Sequence, residues 1–361
     1  MPSDYVRKGI ARYRGAGRKR LGYALLLVLA IFIICVFSLS ISRIDISFTQ
    51  ALGIVWNHIT GDVPSRSEDY AAWWTDYVVV NDNAPRTICG ICVGILLAVS
   101  GAVMQSITRN PLTDPYTIGI SSAALFGVTI YIVSGTCLLP FLDGDSGQIF
   151  NAFVFSLIPA AAIIVVSTFK KTSSTMMILI GIAIMYMFNA FTTFLKFNAT
   201  EDNLQEIYEW SLGTLTSAGW GAVTVMIAAS AILIIVMLVM ANRINVITLG
   251  DKEAISLGES PIRVRIACFL MISVATAVAV CYTGTIGFVG LVAPHIARLF
   301  VGSNSKVLIP ASALTGVLMV VGSDCIVRLL PAVLPVGVIT ALIGSPLFLY
   351  FLYVQRKKST W

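Results

Sequence analysis

The sequence predicts an all-α polytopic membrane protein of about ten transmembrane helices, and three observations carry that prediction. Hydrophobic residues make up 57% of the 361 positions and charged residues 12%, whereas soluble domains carry charge on about 25% of theirs. Nine apolar runs reach the length needed to cross a bilayer, and a tenth is shorter. The basic residues at both ends and between runs require an even number of crossings.

The first 20 residues read as a basic cytoplasmic tail, with Arg7, Lys8, Arg12, Arg14, Arg18, Lys19 and Arg20 ahead of the first apolar run. They account for most of the net charge of +6, which fits positive-inside topology better than nucleic-acid binding. Leu21–Ile41 follows as a retained span, because the tail is long for a signal peptide and no small-residue cleavage site follows the run. The stretch Arg43–Pro85 reads as an external loop: it holds Asp45, Asp62, Glu68, Asp69, Asp76 and Asp82 together with Trp56, Trp73 and Trp74.

Further runs lie at Ile88–Ile107, Tyr116–Leu139, Ile149–Phe169, Met176–Phe197, Ala222–Ala241, Ile266–Thr283, Val307–Leu330 and Val336–Val354. The short one is Ile286–Val301, which holds Gly287, Gly290, Pro294, His295 and Arg298 and reads by hydropathy alone as re-entrant. Charge decides the matter. With the N-terminal tail inside, Lys170 and Lys171 are inside after four spans, and the tail from 355 to 361 with Arg356, Lys357 and Lys358 is inside only if the total is even. Ten spans over 21–354 satisfy this, with both termini cytoplasmic. Asn198–Trp220 is then a second external piece, with four acidic residues and the motif Trp210-Ser-Leu-Gly213; its Asn198-Ala-Thr200 triplet is too common to carry a role.

Gly90, Gly94, Ala98 and Gly101 recur at helical spacing, as do Gly284, Gly287 and Gly290, so these helices can pack closely. The Cys89/Cys92 pair has redox or metal spacing, but no second pair or histidine cluster accompanies it, and a structural role is preferred. No acidic pair or relay is placed at mid-span, which argues against an ion-coupled carrier or channel, the rival reading from another class. The sequence has no G-x-x-x-x-G-K-[ST] loop and no catalytic or metal-ligand constellation, so no enzyme chemistry is visible and any ATP is used by another subunit.

One hydrophilic connection has more structure than a turn requires. In Leu249–Gly258, Gly250 precedes a short helix whose first turn carries Asp251 and Glu253, Gly258 supplies a C-cap, and Pro261 stops it; Ala254, Ile255 and Leu257 form a small apolar face. Taken alone it is either a solvated interfacial helix or a docking element for a partner.

Four stretches together carry a family likeness. They are Pro85-Arg-Thr with Ser100-Gly-Ala-Val-Met-Gln105 and Arg109-Asn-Pro-Leu-Thr-Asp-Pro115; Leu249–Gly258; Gly284-Thr-Ile-Gly-Phe-Val-Gly-Leu-Val-Ala-Pro-His-Ile-Ala-Arg298; and Leu334-Pro-Val-Gly-Val-Ile-Thr-Ala-Leu-Ile-Gly-Ser-Pro346. The chain resembles, over roughly residues 85–354, the FecCD or vitamin B12 permease-like family of ATP-binding-cassette importers for iron–siderophore complexes, haem and cobalamin. The resemblance implies the type II importer fold, a second permease subunit of the same or a different kind, two cytoplasmic ATPases that use ATP and Mg, and an external substrate-binding protein, with no cofactor in this chain. It favours an iron–siderophore complex or related metallo-ligand, with haem and cobalamin as alternatives, carried across the cell membrane by alternating access.

Residue roles implied by the likeness follow the same motifs. Leu249–Gly258 is the coupling helix that enters a cleft on the ATPase. Ser174 and Thr175 form a cytoplasmic gate at the mouth of a pathway-lining helix, or cap that helix. Arg86 and Arg328 meet acidic residues of the binding protein, Arg86 having a headgroup anchor as its alternative; Asn83 stands where better-known members carry another arginine. Gln105, Arg109, Asn110 and Pro111 hold the turn after the second span, and Pro294, His295 and Arg298 satisfy helix-end or partner contacts, with no metal site among them.

Overall fold

The structure is a computed structural model and describes residues 4–42, 44, 46–61, 63, 64, 67, 69–169, 174–331 and 334–358. Asp45, Asp62, Glu68, Lys170 and Lys171 lie outside the described residues, as do the side chains of the basic residues before Arg20 and after Tyr353. Among those described the regular structure is helical: α1 (Asp4–Ser40), α2 (Phe48–Thr60), α3 (Tyr70–Val78), α4 (Ala84–Thr108), α5 (Ile120–Ser134), α6 (Gly144–Phe169), α7 (Ser174–Phe197), α8 (Glu201–Leu212), α9 (Trp220–Thr248), α10 (Asp251–Ser256), α11 (Pro261–Thr283), α12 (Val289–Val301), α13 (Ser305–Leu329) and α14 (Val336–Lys358). Seven of these segments are long and apolar enough to cross a membrane, and three shorter apolar helices fill the remaining runs. They fall on the ten runs read from the sequence.

The external loop expected at Arg43–Pro85 is corrected by the structure: it contains α2 and α3, and α3 passes through a π-helical turn (Val79–Asn83) directly into α4. Ser47 starts α2 with a reciprocal capping box to Gln50, and Asp69 caps α3 by accepting from the Ala72 N–H at 2.9 Å. Likewise α8 lies inside the second external piece, capped by Thr200.

At the centre is α4, in which every residue from Leu96 to Thr108 is buried, packed against α9, α11, α12 and α13. Small residues permit this. A methyl carbon on Gly101 would lie 1.8 Å from the Gly290 carbonyl oxygen of α12, and one on Gly94 would meet the Gly316 backbone of α13 at 2.7 Å. Both positions therefore require glycine. Gly287 has open space around it and is not a packing contact.

The two ends of the bundle are fixed by polar contacts. At one end the Arg328 guanidinium of α13 reaches Ile41 and Asn83, joining the end of α1, the start of α4 and the end of α13. On the same side the close of α8 packs on backbone, since Gly213, Gly284 and Gly337 each lie against a carbonyl from the other segments at 2.0–2.5 Å from an added methyl. At the opposite end the Tyr23 hydroxyl of α1 bonds Thr315 of α13 at 2.7 Å, and Asn245 of α9 bonds Asn304 and Ser305 at the start of α13. Helix α12 thus runs from the α8 end to the α10 end. Its 13 residues span about 20 Å, less than the ~30 Å hydrocarbon core; in the irregular stretch before it Gly284 and Ile286 are buried and Thr285, Gly287 and Phe288 half-buried. Since α14 starts beside Gly213, both chain ends lie at the α10 end.

Candidate coupling site

The connection from α9 to α11 folds as a short helix locked to its neighbours. Its C-terminus is a Schellman motif: Glu259 N–H donates to the Ala254 carbonyl (2.9 Å), Gly258 N–H to the Ile255 carbonyl (3.0 Å), and Gly258 takes φ +82°. Gly250 takes φ +139°, a backbone conformation that L side chains rarely adopt, which is why glycine stands there.

Asp251 is the lock. Its two carboxylate oxygens accept from Arg265 of α11, Nη2 to Oδ1 at 2.6 Å and Nη1 to Oδ2 at 2.9 Å, and Oδ1 also accepts from Arg109 Nη2 at 3.1 Å. The Arg265 side chain is 2% exposed, and its Nε donates to the Ile107 carbonyl of α4 at 3.0 Å. Arg109 closes α4 in the left-handed region (φ 54°), which brings the Asn110 N–H to the Gln105 carbonyl at 3.2 Å. The Asn110 side chain accepts from Leu112 N at 3.0 Å, shaping the turn through exposed Pro111. Gln105 then continues the path: its amide donates to the Leu291 carbonyl of α12 (3.1 Å) and its oxygen accepts from Arg298 (3.0 Å). Two-point arginine–carboxylate pairs resist rotation as well as separation. These contacts join α10 to α11 and α4, and α4 to α12, through side chains.

What α10 offers outward differs from the sequence expectation in one residue. Ala254 is fully buried in the core, with α10 packed against α9, so it is not part of an outward face. Leu249, Ile255 and Leu257 are exposed at 65, 65 and 62%. Three large apolar side chains are thus left uncovered by the described chain at this end of the bundle.

The Arg265 hydrogen bonds hold the Asp251 carboxyl below the usual carboxylate range, against a smaller opposing effect of partial burial, and the charges of Arg265 and Arg109 add to the depression. A depressed carboxylate contributes stability that is complete above its unfolded value, about 3.9, and is lost as pH falls through the folded value. Thermal unfolding in detergent should therefore show a loss on going from about pH 5 to about pH 3 that is smaller in Asp251→Asn than in the parent. Equal losses in both would show that the lock does not depend on the carboxylate charge.

The other predicted positions are dispersed. Ser174 and Thr175 form the first turn of α7, half-buried and exposed respectively, with residues 170–173 outside the described part. His295 is buried in α12 beside Pro294, its ring 5.3 Å from Phe351 and 6.4 Å from Phe348 of α14. Cys89 and Cys92 are buried free thiols, Cys89 bonding Met226. Arg86 and Arg328 both turn onto Asp324 of α13: Arg86 Nε and Nη2 donate to Oδ1 at 2.9 and 2.7 Å, and Arg328 Nη2 lies 3.0 Å from Oδ2. The side chains of Arg86, Arg328 and Asp324 are 17, 10 and 2% exposed. Asn83 accepts from Arg328 at 3.2 Å and donates to the Leu39 carbonyl at 2.9 Å, so it is a structural residue here.

Sequence reasoning missed Arg265 and Asp324. A signal existed for each: Arg265 is a charge one turn inside a Pro-started span, and Asp324 is a lone acid in an apolar run, four residues before Arg328, the spacing at which helical side chains meet.

Residues 28–354 match the FecCD transport family. The hemin transport system permease protein HmuU of Yersinia pestis is 34% identical over 345 residues, covering 94% of this chain and 97% of that protein. The cobalamin import system permease protein BtuC of Halobacterium salinarum is 38% identical over 273 residues, 74% of this chain and 71% of the relative. A solved ABC transporter assigned to the metal-chelate type, in an inward-facing conformation, superimposes with a TM-score of 0.79 at 30% identity, covering 91% of this chain and 98% of that one. Motif order, the helical bundle and a match across most of the length agree, and the chain belongs to the FecCD transport family.

Proposed function

We propose that this chain is the permease subunit of an ATP-driven importer for an iron–siderophore complex or related metallo-ligand, and that α10 is where a cytoplasmic ATPase drives it. The observation that carries the reading is the exposure of Leu249, Ile255 and Leu257 on and beside a helix tied by Asp251 to Arg265 and Arg109. ATP and Mg act in the partner; this chain supplies the moving wall. Closure of two ATPases displaces α10, Asp251 carries the displacement to α11 and α4, and Gln105 carries it on to α12.

The cargo path lies between this subunit and a second permease, which is the same chain or a close relative. Helix α7 supports that role, for Met176, Leu179, Tyr186 and Phe191 are exposed along it. Ser174 and Thr175 at its start serve as the inner gate. An uncharged lining passes a large chelate without holding it, so selectivity resides in an external binding protein. That protein docks at the end where Arg86, Asp324 and Arg328 leave one net positive charge, two guanidiniums against one carboxylate.

The test is reconstitution with the ATPase and binding protein encoded beside this chain, followed by uptake of radiolabelled ferric siderophore, haemin and cobalamin in parallel. ATP-dependent uptake of the siderophore alone supports the reading; uptake of haemin or cobalamin instead transfers the subunit to that cargo, and uptake driven by an ion gradient without ATP overturns it. Orientation is tested separately. In protein freed of native cysteines, a cysteine at Asp202 on α8 should react with an impermeant reagent in intact cells and one at Ser256 on α10 should not. The reverse pattern would place α10 outside.

A further inference from the structure

The α2–α3 pair carries an apolar surface that no other part of the described chain covers. On α2, Phe48, Leu52, Val55, Trp56 and Ile59 are exposed at 38–72%. At 100° per residue they fall within one stripe about 100° wide, whereas Gln50, Gly53 and Asn57 lie about 110–170° from its centre. The third side holds Ala51 and Ile54, packed in a small core with Leu39 of α1, Val78 at the end of α3 and Val79 of the π-helical turn. His58, next to them, is paired with Asp76 of α3 at 2.9 Å. The stripe itself has no charge. On α3 the rings of Tyr70, Trp73, Trp74 and Tyr77 stand together, with centroids 5.5–6.2 Å apart, and Trp74 stacks on Tyr77.

We infer that α2 and α3 lie in the outer-leaflet interface of the bilayer, with the α2 stripe among the upper acyl chains and the α3 rings at headgroup level. Height fixes the occupant. α2 begins eight residues after α1 ends and packs on Leu39, so it sits at the mouth of a span whose own apolar flank (Leu25, Leu29 and Phe32, each about 60% exposed) no other part of the described chain covers. With that flank turned to lipid, the stripe lies at the height of the upper acyl chains. Its make-up agrees: an uncharged apolar face lets a short helix lie in the interface plane, and tryptophan and tyrosine concentrate where hydrocarbon meets headgroups. A binding protein expected to dock through charge finds none on the stripe.

The consequence is mechanical. Since α3 runs through the π-helical turn into α4, the outer leaflet holds one end of the helix whose other end is held by Arg265 and Asp251. Bilayer thickness and headgroup type then bear directly on the height of α4.

The experiment uses full-length protein in nanodiscs of phosphatidylcholine and phosphatidylglycerol. Single spin labels are placed at Val55, Ile59, Gly53 and Asn57 in a cysteine-free background. Collisions with oxygen, which concentrates in lipid, are compared with those of a neutral nickel chelate, which stays in water. The inference expects an oxygen-to-nickel ratio several-fold higher at 55 and 59 than at 53 and 57. Nickel access at 55 and 59 equal to that at 53 would mean that the stripe faces water. Exclusion of both probes there would mean that protein, a second copy included, covers it; either result overturns the inference. A companion measurement keeps α2 intact: with the other tryptophans replaced by Phe, Trp56 fluorescence should be quenched by lipids brominated near the glycerol end more than by those brominated at the chain end, and no quenching by either rejects the placement.

Discussion

Ile255→Asp with Leu257→Asp leaves the permease folded in the membrane and abolishes its hold on the ATPase. Both side chains are exposed, so the core loses nothing. In the assembled transporter each is removed from water, worth about 1.5–3 kcal/mol, and a carboxylate in its place adds a desolvation cost. The combined loss, about 5 kcal/mol, corresponds to more than a thousandfold in affinity. Co-purification with the ATPase should fail, uptake should fall to background, and the thermal unfolding midpoint of the permease alone should stay within about 2 °C of the parent. Full uptake by the double variant would remove α10 as the contact. Ala254→Arg is a poor substitute for this test because Ala254 lies in the core and its replacement unfolds the site.

The same helix shows where sequence reading stops. Its start, its glycine C-cap and its position after six spans were all legible, because capping and charge are local signals. Which side faces in was not: six residues make less than two turns, too few for periodicity to fix a face, and a contact helix reverses the usual rule by burying its small residue and exposing its large ones. The ten apolar helices were legible from the length of the apolar runs, including the short α12, whose contacts run from the α8 end to the α10 end. Helices α2, α3 and α8 were read as loop because their acidic residues and tryptophans mark a membrane face without marking regular structure. Arg265 and Asp324 were missed for a different reason. Each stands alone as a charge in an apolar run, and the contacts that tie it to α4 are distant in sequence, 158 residues for the Ile107 carbonyl and 238 for Arg86, so the local spacing that links Asp324 to Arg328 says nothing of them.

Asp324→Ala should cost about 3–5 kcal/mol of stability, the range found when one partner of a buried ion pair is removed. The carboxylate is 2% exposed and is all that separates the Arg86 and Arg328 charges; without it two guanidiniums face each other at the joint of α1, α4 and α13. Arg86→Gln should cost less, because Asp324 keeps Arg328, 3.0 Å away, as its partner. Denaturant unfolding in detergent distinguishes these outcomes, and an Asp324→Ala protein as stable as the parent would show that the triad is not what closes this end. The same variants test docking. Arg86→Gln removes the residual positive charge while leaving the joint paired, so affinity for an acidic binding protein should drop at low ionic strength and converge with the parent when salt screens charges beyond about 8–10 Å. Arg328→Glu is the wrong probe, since it sets a second carboxylate beside Asp324 and breaks the joint before docking can be measured. An unchanged affinity of Arg86→Gln at low salt, in protein whose unfolding is normal, would assign the triad to architecture alone and leave docking to other contacts at this end.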